Sequence, residues 1–155
     1  MSNVQERLVV SGPFDKAGKA HGEMQAIMQA SVESVELQFN AQDFYRDTRR
    51  GWLYFHASMR VGQDRSVIIA IALRDKDAAS GTYTVPGDKV VLLSYIREGN
   101  DPDSRIEYRT THGSIEFENH QPAERISGRF QFTTETVNGI SYRAIGGRFD
   151  IVGMN

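Results

Sequence analysis

The chain has no cysteine. That excludes disulfide scaffolds, thiolate metal sites and cysteine nucleophiles together, without choosing between a reducing and an oxidising compartment. Long apolar runs are also missing. In Met1 to Gly12 the apolar run is confined to Leu8, Val9 and Val10, after Glu6 and Arg7, where a signal sequence needs about 7–15 apolar residues. Nothing approaches the roughly 20 apolar residues of a membrane-spanning helix. A cytoplasmic location without a membrane span is the expectation, with the periplasm as the alternative. An excess of one charge sign is absent too. The formal net charge is −2, so no global field draws phosphate backbones or anionic lipid, and no nucleic-acid partner is expected.

Reactive signatures are equally scarce. There is no GxSxG elbow, no phosphate-binding loop and no HExxH pair. No catalytic residue, metal or cofactor is therefore assigned. With 155 residues the chain is one domain, 1–155, large enough for its own core. Residues 1–22 form a flexible lead-in, most clearly over SGPFDKAGKAHG.

What is present is a period of two. GWLYFHASMRV sets Leu53, Phe55, Ala57, Met59 and Val61 against Trp52, Tyr54, His56, Ser58 and Arg60. SVIIAIAL (66–73) is a continuous apolar run, the mark of a strand covered on both faces. GQD between them makes 52–73 a hairpin. Further strands read at 34–39, 82–85, 89–96, 105–110 and 114–118, and ISGRFQF puts Ile126, Gly128, Phe130 and Phe132 on one face. Loops are expected at 75–81, 97–104 and 119–124. Asn138-Gly139 suits a tight hairpin, since both central positions accept positive φ. In ISYRAIGGRFDIV the apolar parity switches across Gly146-Gly147, which predicts a bulge. Residues 20–31 read as a short helix from Met24, Ile27 and Met28, with a strand as the rival. The fold class is mainly β, an antiparallel up-and-down barrel or sandwich of about eight strands.

Candidate chemistry is sparse on this framework. His112, Glu116 and His120 are metal-ligating types, but alternate strand residues lie about 6.6–7 Å apart, too far to chelate one ion from a single strand. Glu98 to Asp103 is rich in oxygen ligands yet lacks calcium-loop spacing. Glu116 and Glu118 share an outward face with no cause for a raised pKa. Arg105, Arg109, Arg125, Arg129, Arg143 and Arg148 are interleaved with acids, as cross-strand pairing requires. Trp52, Tyr54 and His56 line the face of their strand opposite the apolar one. They form either an exposed binding surface or a second buried layer.

Four short motifs punctuate the C-terminal half: Gly81-Thr82-Tyr83, Gly113-Ser114-Ile115, Ile126 to Phe132 as ISGRFQF, and Gly147-Arg148-Phe149-Asp150. Over residues 80–152 the chain thereby resembles a group of uncharacterised bacterial calycin-like β-rich domains, many of them lipoproteins. The resemblance implies a barrel or sandwich and brings no catalytic residues. The functional expectation is a non-catalytic module binding a small apolar or amphipathic ligand in a barrel mouth or between sheets. Tyr83, Tyr95, Tyr108 and Tyr142 would supply phenolic hydrogen bonds, and Trp52, Tyr54 and His56 a stacking face. The alternative is a homo-oligomer or partner-binding module using sheet edges or the aromatic face. A third reading is an enzyme of unknown reaction.

Overall fold

Alternating apolar and polar residues draw most of the chain into strands that share one interior. The computed structural model describes residues 19–32 and 35–153. The strands are β1 (Lys19–Ala30), β2 (Glu36–Asn40), β3 (Asp43–Asp47), β4 (Leu53–Arg60), β5 (Ser66–Leu73), β6 (Gly81–Val85), β7 (Val90–Glu98), β8 (Ile106–His120), β9 (Arg125–Thr134) and β10 (Tyr142–Val152). Eight of them close an antiparallel barrel in the order β10-β9-β8-β7-β5-β4-β3-β1, with β1 pairing back onto β10. β2 adds to β1 and β6 adds to β8 outside that circuit. The choice between barrel and sandwich is thus resolved as a barrel. Among the described residues no helix is long and apolar enough to cross a membrane.

Three expectations are corrected. Residues 20–31 are not a helix but most of β1. Met24, Ala26 and Met28 point inward at period two, and the ladder with β10 outweighs helical propensity. The lead-in is shorter than 1–22, because Lys19–Gly22 already belong to β1; residues 1–18 lie outside the described residues. The two strands expected at 105–110 and 114–118 are one long strand, β8, which runs on to His120, so that the loop expected over 119–124 is the turn 121–124. β8 bridges a corner: Ile106 to Arg109 pair with β7, whereas His112 to His120 pair with β9. Its polar middle faces outward at that corner, which makes it resemble a break in one dimension. β3 carries too short and too polar an alternation to stand out, and its pairing with β4 defines it.

The interior is filled. Ile115, Phe117, Phe130, Phe132 and Phe149 are buried with Leu53, Phe55, Ile69 and Ile71, and Phe55 meets Phe149 at 5.1 Å between ring centres. β4 and β5 are buried on both faces, as the apolar run of β5 requires. The expected hairpin turn is present, with Asn138 and Gly139 both at positive φ. The expected bulge is present as well. The β9–β10 register shifts between Ala144 and Gly147, with Gly146 at φ +62°. Gly128 has a different task. Its missing side chain lets β8 approach, since a Cβ there would fall on the Glu116 carbonyl oxygen and stand 2.9 Å from the Phe149 ring. Gly128→Ala is expected to lower unfolding free energy by about 1–3 kcal/mol, the usual cost of overpacking, read as a lower urea midpoint. An unchanged midpoint would mean that β8 and β9 are not held this close.

Candidate functional site

Arginines facing inward at strand ends mark both ends of the barrel. At one end Arg46, on the same side of β3 as Phe44, is buried. Its Nη1 donates to the Glu124 carbonyl at 2.8 Å and to the Gly153 carbonyl at 3.3 Å. Burial pulls the Arg46 guanidinium below its ordinary value, while Glu124 acts the other way. The 75–80 connection covers the same end, with Ala78 buried and its carbonyl accepting from Asn119 Nδ2 at 3.0 Å. This end is a plug.

The other end is a shallow mouth. Its floor is a tyrosine cluster. Tyr95 on β7, Tyr108 on β8 and Tyr142 on β10 pack with ring centres 4.8 Å (Tyr95–Tyr142) and 4.9 Å (Tyr108–Tyr142) apart. Tyr95 and Tyr108 are fully buried. Arg97 continues the inward parity of Leu93 and Tyr95 and lies on this floor. Its Nη1 donates to Tyr142 Oη at 3.0 Å. Its guanidinium carbon is 6.0 Å from the Tyr142 ring centre, at the limit of a cation–π contact, so the hydrogen bond is the stronger tie. Burial lifts the Tyr95 and Tyr142 phenols above their ordinary values, with Arg97 pulling both back. Burial also works against the Arg97 charge, but Tyr142, Tyr95 and Tyr108 outweigh it and leave Arg97 above its ordinary value. Around Arg97 is a depression of about 220 Å³ walled by Val61, Val67 and Ile106 on its apolar side and by Arg65, Ser66, Ser104 and Glu98, which is paired with Arg105, on its polar side. Ser104 Oγ bonds the Asp101 carbonyl at 2.6 Å and accepts from the Gly99 amide at 3.0 Å, which holds the rim loop.

The seven sequence-derived residues therefore separate into three places. Tyr95, Tyr108 and Tyr142 do come together. Tyr83 is on β6 and donates to the Ala79 carbonyl at 2.6 Å. Trp52, Tyr54 and His56 lie on the outer side of β4, and the reading of that face as exposed is corrected. Tyr54 and His56 are buried, and Trp52 is partly buried, in a second layer with Tyr45, Ile68 and Leu92. The His56 ring stacks on Tyr45 at 5.2 Å, and Tyr54 hydrogen-bonds His56. Arg97 and Arg65 were missed. An arginine at the parity of Leu93 and Tyr95 was the available signal for Arg97; Arg65 comes close only through the fold.

A larger depression, about 870 Å³, crosses the outside of β6, β8, β9 and β10. Of its arginines, Arg125 makes a bidentate contact with Asp150 at 2.8 and 2.6 Å, Arg148 donates to the Gln25 amide oxygen, and Arg129 stands across the ladder from Glu116. His120 Nε2 meets Ser127 Oγ at 2.8 Å here, but Glu118 approaches that same nitrogen at 3.5 Å. A carboxylate that orients a catalytic histidine would hold its other nitrogen, so the trio lacks nucleophile-activating geometry. Among the described residues no three His, Asp or Glu side chains gather to hold a metal. Comparison with protein-family models, curated proteins and solved structures found no match.

Two outcomes follow from these contacts. Arg46→Met removes the hydrogen bonds to the Glu124 and Gly153 carbonyls and should cost about 1–3 kcal/mol in urea unfolding, whereas Arg97→Gln at the open mouth should cost under about 1 kcal/mol. Equal losses would mean that Arg97 is as structural as Arg46. Asp150 is held below its ordinary value first by the hydrogen bond from Arg125. A depressed folded-state pKa stabilises above the unfolded-state pKa and loses that contribution as pH falls through the folded one. The Asp150 carboxyl carbon should titrate below the ordinary aspartate range by NMR, and its midpoint should rise in Arg125→Gln.

Proposed function

We propose that this barrel is a non-catalytic binding module that seats a small amphipathic ligand in its mouth rather than in its interior. The observation that carries the reading is a half-buried guanidinium on a tyrosine floor, open to a walled depression. The interior itself is occupied by Ile115, Phe130 and Phe132, which moves the expected site outward. At about 220 Å³ the mouth is below the 300–1,000 Å³ of drug-sized sites, so the ligand has few heavy atoms. An apolar wall beside a fixed polar donor favours a molecule with one apolar and one polar end. A preformed rim lowers the ordering cost of binding.

A second reading has its own support. Among the described residues β2 pairs only with β1, and β6 only with β8, so each offers an edge on which a second copy could build. Val32 and Val35, beside β2, are exposed at 41% and 52%. Native mass spectrometry on protein purified gently from its own source separates the two. A monomer that carries extra mass, released by Arg97→Gln, is the expected result. A bare dimer would replace the ligand reading with edge assembly.

A further inference from the structure

Arg97 is a partly buried cation without a carboxylate. Among the described residues, no Asp or Glu oxygen lies within 4.0 Å of its guanidinium. The nearest acid in the chain, Glu98, is turned to Arg105 at 3.3 Å. The three groups that offset its burial are phenols. Phenols accept hydrogen bonds but carry no countercharge at neutral pH. Arg46, at the opposite end, shows the structural alternative, in which Nη1 donates to the Glu124 and Gly153 carbonyls and Glu124 supplies compensating charge. A desolvated charge normally has a paired partner. Arg97 is tied to Tyr142 through Nη1 and lines the mouth depression. Arg65 adds a second positive charge at the rim, contributed by the turn whose Val61 amide bonds the Arg65 carbonyl at 2.8 Å.

Resting on the mouth as the binding site, we infer that the polar end of the ligand is an anion, a carboxylate held by the open edge of the Arg97 guanidinium with Arg65 at the rim. The fork of donors on an arginine matches a carboxylate in two parallel hydrogen bonds. Val61, Val67 and Ile106 then cover a short aliphatic body. Phosphate shares the charge but leaves that apolar wall wet, so a short-chain carboxylic acid fits both halves of the site.

The test uses three probes, hexanoate, hexanol and inorganic phosphate, added to the full chain while backbone amide NMR shifts are followed. Hexanoate should move the amides of Val61, Ser66, Val67, Glu98 and Ile106 saturably. Arg97→Gln should weaken it about tenfold or more, Arg97→Lys less, and hexanol should bind at least about tenfold more weakly than hexanoate. Unchanged thermal melting of both variants secures the comparison. Equal binding of hexanol and hexanoate, indifferent to Arg97→Gln, would overturn the anion while leaving the mouth as the site. Phosphate binding as tightly as hexanoate would overturn the aliphatic body. Silence of the mouth amides to all three probes would overturn the site itself.

Discussion

The pairing of β1 with β10 is the contact on which the rest of the structure depends. It runs from His21↔Val152 to Ala30↔Tyr142 and joins strands that are far apart in the chain. Without it the meander from β3 to β10 is an open sheet with two long edges and an interior exposed along one side. With it, Met24 and Met28 enter the same core as Phe149 and Ile151, and the barrel side chains become mutually buried. Closure of so long a loop is entropically costly, and only the continuous apolar interior offsets it.

Closure also explains the two strands that leave the circuit. β1 pairs with β3 through Lys19 and Ala20, then with β2 over Gln25 to Gln29. β8 does the equivalent, moving from β7 to β6 along its length. A long strand that changes partner turns a corner in the wall. Those corners let a circuit of eight strands bury a core crowded with phenylalanine and isoleucine, and glycines sit where walls come closest. Gly147, beside the bulge, has no room for a Cβ because the Phe130 ring occupies that space.

The same closure makes the two ends unlike. One receives the turn after β8 and the residue after β10, whose carbonyls accept from Arg46, and the 75–80 connection, held by Asn119. The other receives short hairpin turns that stand apart. There the last inward side chains are tyrosines, large enough to seal the core and polar enough to meet water. Arg97 rests beside that seal, fixed by Tyr142. The proposed site thus sits where the barrel stops being a core and has not yet become a surface.

Much of the architecture was legible from local pattern. The alternation in 53–61 and 126–132, the Asn138-Gly139 turn and the parity switch at Gly146-Gly147 are short-range facts, set by the two-residue repeat of a strand and the φ that glycine permits. Clustering of Tyr95, Tyr108 and Tyr142 followed from their inward parity once strands paired in order. Other features depended on partners distant in sequence. Residues 20–30 match a helix nearly as well as a strand until β10 is alongside. His112 lies mid-strand because β8 passes from one partner to another. Tyr54 and His56 are buried because β4 is covered on both faces, which its own alternation opposes. The sequence by itself determined which residues alternate and where the chain turns, since these are properties of neighbours. Tertiary structure alone decided closure, the plugged and open ends, and the unpaired charge of Arg97, because each is a relation between strands that meet only after folding.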